Sequence, residues 1–244
     1  MKVGVISDIH GNWEALKAVV EEGNNLKVEK WWCLGDVVGY YPQITECITW
    51  VKKNCEIVVR GNHDFEATRT EPVNHFNPMA EEAILWTRKN LKPEEKQFLE
   101  KLPLVVNVNG ISLSHSNPFY PDSWIYVFDS FDIFCLLLES KNIKIANINF
   151  FGHTHIPGIF AYDGEKVTEL EFPQTIRDDI IYFVNPGSVG QPRDGVNMAS
   201  FITYHIESKT IELHRVKYDF RYVQRLVIEK KLPQYLAQRL EKGI

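Results

Sequence analysis

The sequence predicts an α/β protein in which a two-sheet β-sandwich is flanked by helices. Its N-terminal part alternates short apolar runs with amphipathic helical patterns, which is typical of a parallel sheet with right-handed crossovers. Its middle part contains further apolar runs and the turn sequences Asn109-Gly110 and Asp163-Gly164, which favour β-hairpins. These observations predict two sheets of different character.

The N-terminal series has the order βαβαβ. Apolar runs at residues 2–7, 30–34 and 56–59 are predicted strands, and the segments at 12–22 and 42–53 place apolar residues at helical spacing. Parallel strands bring their carboxyl ends to the same edge of a sheet, and ligands gather at that edge in open α/β sheets. Residues that directly follow these strands are therefore expected to lie together.

The remainder of the chain continues this plan. Residues 77–101 are predicted to form two helices that separate at Pro93, and the pattern then changes to strands, which we expect to form the second sheet. Alternating apolar residues predict a last pair of strands at 199–206 and 210–217.

The chain end has a different pattern. The pattern over residues 219–242 predicts a helical tail that is interrupted near Pro233. The whole chain has 244 residues, which is enough to bury one good-sized core. We therefore expect one domain over 1–217 and a C-terminal helical tail over 218–244 that packs on it.

Composition argues against several classes of function. The net charge is -5 and no Lys/Arg run is present, so long nucleic acids are not expected as partners. The cysteines lack Cys-x-x-Cys spacing, which predicts reduced, buried thiols; they are Cys33, Cys47, Cys55 and Cys135. The first apolar run is too short for a signal peptide, and no stretch is long enough for a membrane span. We expect a cytoplasmic protein without a membrane partner.

Five short segments place metal-ligand or acid/base side chains at the ends of predicted strands. They are Asp8-Ile9-His10, Gly35-Asp36, Gly61-Asn62-His63-Asp64, Ser114-His115 and Gly152-His153-Thr154-His155. Brought together, they would offer two Asp, one Asn and four His as ligands and leave His63 for proton transfer. Such a set suits two divalent cations.

The donor types indicate the kind of metal. Imidazole suits Zn, Fe, Ni and Mn, whereas carboxylate and amide oxygens suit Mg and Mn, so a mixed set favours transition metals and manganese in particular. Asp36 is our candidate for the ligand shared by both ions, because a carboxylate has two oxygens. Asp8 and His10 lie two residues apart, so both would face one side of an extended segment. His153 and His155 repeat this spacing.

In order and in detail, the five segments resemble the motifs of the calcineurin-like metallophosphoesterases. The sequences Gly35-Asp36-Val37-Val38-Gly39-Tyr40 and Asn185-Pro186-Gly187-Ser188-Val189-Gly190-Gln191-Pro192-Arg193 are similar to a prokaryotic branch of small phosphodiesterases and diadenosine-polyphosphatase-like proteins. The resemblance spans roughly residues 1–217 and implies the αββα fold of that family. It also implies that one metal is bound by Asp8, His10, Asp36 and His155, and the other by Asp36, Asn62, His115 and His153.

The resemblance has one departure. The family commonly has Gly after the histidine that corresponds to His115, and this chain has Ser116. We expect Ser116 either to narrow that wall of the site or to offer its hydroxyl to the substrate, without loss of metal binding.

The sequence thus predicts a binuclear metal-dependent phosphoesterase that acts on small phosphodiesters or nucleotides, with a diester favoured over a monoester. A hydroxide that bridges the two metals would attack the phosphorus in line. His63 would protonate the leaving group or stabilise transition-state charge, and Asp64 would orient its imidazole. Arg193 would bind a phosphate oxygen or, alternatively, form a loop salt bridge.

Two other functions and several residues stay open at this point. The alternatives are a non-catalytic scaffold of the same fold and a protein phosphatase or nuclease of the superfamily; a homo-oligomer is also compatible with the sequence. Asn12 is expected to cap a helix, and His75, His205 and His214 are treated as structural, with His75 the one that could reach the cleft. Eight aromatic residues could line a cleft or pack under loops: Tyr40, Tyr41, Phe65, Phe76, Phe119, Tyr120, Trp124 and Tyr126.

Overall fold

The computed structural model describes residues 1–73, 76–140 and 143–244, and these contain two six-stranded sheets and eight helices. The strands are β1 (Lys2–Ile6), β2 (Lys30–Cys33), β3 (Cys55–Val58), β4 (Val105–Val108), β5 (Ile111–Ser114), β6 (Ile148–Phe150), β7 (Pro157–Tyr162), β8 (Val167–Leu170), β9 (Gln174–Thr175), β10 (Ile181–Pro186), β11 (Ala199–His205) and β12 (Thr210–Val216). The helices are α1 (Trp13–Asn25), α2 (Ile44–Asn54), α3 (Asn62–Thr68), α4 (Pro78–Asn90), α5 (Pro93–Glu100), α6 (Ser130–Glu139), α7 (Phe220–Glu229) and α8 (Gln234–Lys242). No helix in the described ranges has both the length and the apolar character that a membrane span needs.

The first sheet has the order β3-β2-β1-β11-β12-β9. Strands β1, β2 and β3 are parallel, which confirms the predicted βαβαβ series, and β11 runs antiparallel to β1. The predicted pair of strands near the end of the chain therefore extends the first sheet. Helices α1 and α2 cover its outer face through buried residues such as Leu16 and Ile48.

The second sheet has the order β4-β5-β6-β10-β7-β8. Strands β5, β6 and β10 are parallel, whereas β4/β5 and β7/β8 are antiparallel hairpins at the two predicted turns. Asn109 and Gly110 have φ angles of 48° and 78°, as the favoured two-residue hairpin turn requires. Helix α6 covers the outer face of this sheet through Ile133 and Leu136.

The two sheets pack on each other through a shared apolar layer. Val5 and Ile202 of the first sheet and Leu113 and Phe150 of the second are fully buried in it. Together with the outer helices, this layer gives the predicted two-sheet sandwich flanked by helices, and that fold class is confirmed.

Helix α6 lies in a region where the sequence predicted strands, and that prediction is wrong for residues 130–139. The segment is almost continuously apolar, and such a run fits a buried strand as well as a helix. The side chain of Asp129 accepts hydrogen bonds from the backbone N–H groups of Phe131 and Asp132. This N-cap was the sequence signal that favoured a helix.

The C-terminal helices α7 and α8 pack behind the segment that follows Asp36. Leu236 and Leu240 of α8 are buried in one cluster with Tyr40 and Tyr41. The Tyr41 hydroxyl also donates a hydrogen bond to the carbonyl of Leu236, at 3.3 Å. The tail is therefore a support for this edge of the sandwich.

Two glycines make room for one indole under helix α1. Trp31 of β2 is 7% exposed and lies opposite Gly4 in the pairing of β1 with β2. A Cβ on Gly4 would lie 2.5 Å from the Trp31 ring, and a Cβ on Gly23 of α1 would lie 2.3 Å from it. The ring therefore fills the whole space between the helix and the strands that end near Asp8 and Asp36.

We expect Gly23→Ala to destabilise the protein by about 1–3 kcal/mol, because the added methyl overlaps the Trp31 ring. Alanine is otherwise the better helix former by about 1 kcal/mol. Whether the substitution lowers or raises the free energy of unfolding therefore tests the packing against Trp31. The urea midpoint measures it, and Asn24→Ala at the exposed neighbouring position of α1 is the control. A midpoint for Gly23→Ala at or above that of the wild type would contradict this account.

Candidate metal centre

The five segments singled out in the sequence meet at the edge where β1, β2, β3, β5 and β6 end. Seven side chains are brought together there, all of them buried: Asp8, His10, Asp36, Asn62, His115, His153 and His155. Two groups stand out: the possible ligand atoms of Asp8, His10 and His155 all lie within 4.8 Å of one another, and so do those of Asp36, His115 and His153. A third such group joins His10 and Asp36 with His63.

The first group is built around the carboxylate of Asp8. Its Oδ1 atom lies 3.2 Å from His155 Nε2 and 3.8 Å from His10 Nε2. Oδ2 of Asp36 lies 3.6 Å from the same His10 nitrogen. Four donor atoms, two oxygens and two nitrogens, thus converge as the ligands of one cation would.

The second group lies on the other side of Asp36. Nε2 of His115 lies 3.3 Å from Asp36 Oδ2, 3.1 Å from Asn62 Oδ1 and 3.2 Å from His153 Nδ1. The Oδ2 atom of Asp36 therefore faces donors of both groups. This is the position that a ligand shared by two ions would need.

Backbone carbonyls fix the tautomers of the histidines in the first group. Nδ1 of His10 lies 3.2 Å from the carbonyl of Val38, and Nδ1 of His155 lies 2.6 Å from that of Gln191. Because a carbonyl can only accept, each Nδ1 must carry the hydrogen, and each Nε2 directs a lone pair into the site.

Backbone carbonyls also fix the tautomers of the histidines in the second group, but His153 uses the opposite ring nitrogen. Nδ1 of His115 donates to the carbonyl of Leu34 at 2.8 Å, which leaves its Nε2 as the inward acceptor. His153 instead donates through Nε2 to the carbonyl of Trp124 at 2.9 Å and directs Nδ1 inward. Outer partners of this kind are typical of metal-bound histidines.

The donor set fits divalent cations on the geometry of this structure. The Nε2 atoms of His10 and His155 lie 3.1 Å apart, although each directs a lone pair at the other. Oδ1 of Asp8 is buried without a hydrogen-bond partner among the described residues. Both arrangements are unfavourable unless a positive charge lies between the donors.

The pKa values of the site reflect its burial and its two carboxylates. Burial lowers the pKa of His10 and His155 below the ordinary value and lowers that of His153 to about 3, so these rings are neutral, as metal coordination requires. Burial would also lower the pKa of His115, but the charges of Asp36 and Asp8 outweigh it and raise the pKa to about 9. A cation that binds there displaces the extra proton.

Five of the seven residues have a left-handed backbone. Their φ angles are 55° at Asp8, 53° at His10, 51° at Asp36, 71° at His153 and 64° at His155. Each such residue costs of order 1–3 kcal/mol and persists only where its surroundings hold it. The expectation that Asp8 and His10 lie on an extended segment is therefore wrong: tight turns, and not strand alternation, direct both side chains to the centre.

Two glycines let the loops approach the carboxylates. A Cβ on Gly61 would lie 2.0 Å from Asp36 Oδ1, and a Cβ on Gly152 would lie 2.7 Å from Asp8 Oδ2. The residues that follow these glycines then donate backbone N–H groups, from His63 to Asp36 Oδ1 at 2.8 Å and from His153 to Asp8 Oδ2 at 3.1 Å. One oxygen of each aspartate is thus held by the backbone, and the other faces the centre.

Asp64 has a different position from the one we expected. Its Oδ1 accepts hydrogen bonds from the N–H groups of Val37 and Val38 at 2.9 and 3.2 Å, and its Oδ2 accepts one from Gly61 at 3.1 Å. Burial and the charge of Asp36 raise the pKa of Asp64 to about 7. The carboxylate therefore ties the loop after Asp36 to the start of α3, and the expected orientation of the His63 ring by Asp64 is not formed.

His63 lies at the border between the cluster and solvent. Its ring centroid is 4.6 Å from those of Tyr40 and Phe76 and 4.7 Å from that of His10. Its Nδ1 has no hydrogen-bond partner among the described residues. Burial lowers the pKa of His63 to about 4 although the charge of Asp36 opposes this, so the imidazole is neutral near pH 7.

Arg193 is held near the cluster by neutral groups. Its Nη2 donates to Gln191 Oε1 at 2.8 Å and to the Tyr40 hydroxyl at 3.3 Å. Within residues 1–73, 76–140 and 143–244 it forms no ion pair with a carboxylate. The alternative role of a loop salt bridge is therefore not found.

A cavity of about 740 Å³ opens onto Asn62, His63 and His153. Five of the eight aromatic residues considered from the sequence line it: Tyr40, Phe65, Phe76, Trp124 and Tyr126. Tyr126 stacks on His153 with ring centroids 4.1 Å apart. The other three do not line the cavity: Tyr41 packs against the tail, Phe119 stacks on Phe183, and Tyr120 is 37% exposed.

The other residues considered in the sequence analysis are found as follows. Oδ1 of Asn12 accepts from the N–H of Ala15, which confirms the helix cap. The hydroxyl of Ser116 points to the carbonyl of Pro121 at 3.4 Å and does not line the cavity. His214 contacts Thr203 on the first sheet, and His75 lies outside the described residues.

Several contacts within the candidate site were missed because they involve main-chain atoms. The carbonyls that hold the histidines come from Leu34, Val38, Trp124 and Gln191, and any residue type can supply a carbonyl. Val38 and Gln191 lie in segments that the sequence analysis had marked, and Trp124 was considered there only as an aromatic residue that could line a cleft. No pattern of side chains could have identified these carbonyls.

Comparison with known proteins agrees with this geometry. The family model for the calcineurin-like phosphoesterase superfamily domain matches residues 1–209. An uncharacterized protein of Methanocaldococcus jannaschii is 38% identical over 248 residues, which cover 99% of this chain and 98% of that protein.

Solved structures share the fold over the whole chain. A metallophosphoesterase from Sphaerobacter thermophilus has a TM-score of 0.86 at 32% identity and covers 100% of this chain and 99% of its own. A hypothetical protein from Pyrococcus horikoshii OT3 has a TM-score of 0.77 at 20% identity, with 100% and 98% covered. The family resemblance seen in the five segments is confirmed, and the chain belongs to the calcineurin-like phosphoesterase superfamily.

Proposed function

We propose that this protein is a binuclear metal-dependent phosphoesterase that hydrolyses small phosphodiesters or nucleotide-type substrates. The observation that carries the proposal is the pair of adjoining donor groups on either side of Asp36 Oδ2, with buried imidazole lone pairs directed inward. Membership of the superfamily supports phosphoester hydrolysis as the reaction.

The donor groups suggest how two ions would be held. Asp8, His10, Asp36 and His155 would hold one ion, and Asp36, Asn62, His115 and His153 the other. When bound, two such cations polarise phosphoryl oxygens and lower the pKa of a bound water. Manganese suits this mixture of imidazole, carboxylate and amide donors.

His63 is proposed to act on the leaving group. It borders the cavity, and its ring packs between Tyr40 and Phe76, so it would face an ester oxygen directed away from the cluster. An N–H group there would stabilise or protonate the departing oxygen. Asp64 is proposed to act as a positioning residue, because its three backbone contacts set the loop that carries Asp36 and Gly39.

The shape of the cavity favours a diester over a monoester. Beyond the donor cluster, its aromatic walls leave space for a second, flat ester group, and Phe65 lies under the guanidinium groups of Arg60 and Arg69 at 5.1 and 4.8 Å. A nucleobase or an aryl ring would stack in such a place. Arg193 would contact a non-bridging phosphate oxygen.

A cytoplasmic location is part of the proposal. Burial raises the pKa of the thiols of Cys33 and Cys47, and no cysteine of the described residues is in a disulfide. Such thiols persist in a reducing compartment.

The direct test is elemental analysis of protein purified without added metal, combined with hydrolysis of bis(4-nitrophenyl) phosphate and 4-nitrophenyl phosphate. We expect close to two transition-metal ions per chain and faster turnover of the diester. Protein that holds metal but hydrolyses neither ester would refute the proposal.

Asp36→Ala is expected to remove at least one metal ion per chain, because both donor groups use Oδ2 of this residue. Metal content after gel filtration measures the effect. The control is Asp178→Ala, an exposed carboxylate paired with Lys209 outside the site, which should retain full metal content. Full occupancy together with intact turnover in Asp36→Ala would exclude the shared-ligand role.

His63→Gln is expected to keep near-normal metal content and to lower kcat by roughly 10²- to 10⁴-fold, because the group that serves the leaving oxygen is lost. The matched control is His214→Gln on β12, which should retain wild-type kcat. If His63→Gln loses metal together with activity, His63 is a ligand, as its group with His10 and Asp36 would allow.

A further inference from the structure

The backbone of Trp124 has an unusual conformation in the loop beside the second donor group. Its φ angle is 54°, a left-handed value that is a genuine outlier for a bulky side chain. The carbonyl of the same residue accepts the hydrogen bond from Nε2 of His153 at 2.9 Å. A conformation that costs of order 1–3 kcal/mol thus coincides with a main-chain atom that holds a candidate ligand.

Trp124 differs from the residues that supply the carbonyls for the other three histidines. Leu34, Val38 and Gln191 are fully buried, at 0% exposure. Trp124 is only partly buried, and it lines the cavity. The outer partner of His153 therefore belongs to a wall of the cavity, whereas the partners of the other histidines belong to the interior.

The loop that carries Trp124 is fastened on both sides of this residue. Oδ1 of Asn117, which is fully buried, accepts from the N–H of Phe119 at 3.1 Å, and its Nδ2 donates to the hydroxyl of Ser123 at 3.2 Å. Phe119 and Val127 are buried together in the cluster on the second sheet. These anchors fix the path of the chain between them, which includes the strained residue.

The side chains of this loop also contact the second donor group. The ring of Trp124 lies 6.1 Å from that of His115 and 6.2 Å from that of Phe65. Tyr126 covers His153 with the two rings nearly parallel, at 12° and 4.1 Å between centroids. The loop therefore contacts both histidines of the second group.

We infer that Trp124 is a positioning residue for the ion at the second donor group, and that its left-handed backbone, not its indole, performs this role. The inference rests on the binuclear centre proposed above. If the carbonyl moved away, Nε2 of His153 would lose its acceptor, and the ring hydrogen could transfer to Nδ1, which would then no longer face the ion with a lone pair. The first donor group has its own carbonyl partners and should keep its ion.

The test compares two substitutions that both remove the indole. Glycine adopts a left-handed φ without strain, whereas the ring of proline fixes φ near −65°. Trp124→Gly therefore keeps the carbonyl in place, and Trp124→Pro displaces it. Proline removes no backbone hydrogen bond here, since the N–H of Trp124 has no acceptor in the described ranges.

Metal binding is measured by dialysis of metal-stripped full-length protein against graded concentrations of Mn²⁺, followed by elemental analysis. We expect Trp124→Gly to bind two ions with the dissociation constants of the wild type. In Trp124→Pro we expect the affinity for one ion to fall by about 10- to 100-fold, which is typical for loss of an outer partner, and the affinity for the other to stay unchanged. Asn62→Ala removes a donor of the second group alone and so identifies the step that belongs to that ion.

A second variant leaves Trp124 intact and serves if Trp124→Pro does not fold. Asn117→Ala removes the side-chain hydrogen bonds that fasten the loop, and we expect the same selective weakening of the second ion. The Tm of each metal-free protein shows how far the substitution acts on stability alone.

Equal affinities for the second ion in Trp124→Gly and Trp124→Pro would overturn the inference. A weakening of both ions together with a lowered Tm in Trp124→Pro and Asn117→Ala would also overturn it, since the loop would then be purely structural. Dialysis needs no turnover, so a wild type that binds two ions and hydrolyses neither ester refutes the proposed function alone. A wild type that binds fewer than two ions refutes both.

Discussion

The arrangement of donor atoms at this edge of the sandwich depends on the different contacts of the two carboxylate oxygens of Asp36. Oδ1 is held by the backbone of His63, and Oδ2 faces His10 on one side and His115 on the other. If the loop moved by an ångström, the two donor groups would no longer adjoin. The contacts of Asp64 and the close approach of Gly61 both act to keep that loop in place. Much of the buried polar structure thus serves the position of one carboxylate.

The position of the site was predictable because it follows from parallel strands. Asp8 and Asp36 come just after β1 and β2, so the parallel strands of the first sheet bring both side chains to one edge. His115 and His153 come just after β5 and β6 of the second sheet, and their arrival at that edge depends on how the two sheets pack. The fold class followed from the same pattern, together with the turn residues of the two hairpins. The spacing of the residues in the sequence could not predict their local backbone conformation. Asp8 and His10 have left-handed backbones, and these depend on neighbours distant in sequence.

Three expectations from the sequence differ from the structure for one reason. The groups that a residue contacts in the fold cannot be read from its own segment of the sequence. Asp64 is adjacent to His63 in sequence, yet its carboxylate binds the backbone of residues 37, 38 and 61. Ser116 follows His115, yet its hydroxyl turns to the carbonyl of Pro121. Helix α6 has an apolar sequence that fits either regular structure, and its packing on the second sheet decides between them. Tertiary contacts decide all three cases.

The carbonyl partners of the histidines have a consequence for metal exchange. Since a backbone carbonyl holds one nitrogen of each imidazole, no ring has to rotate when an ion binds or when one ion replaces another, and only the extra proton of His115 has to leave. An array of this kind does not distinguish sharply among Mn, Fe, Ni and Zn, all of which take imidazole and carboxylate ligands. The ion that occupies it would then be decided by the supply in the cell, so that the same polypeptide could carry different metals under different growth conditions.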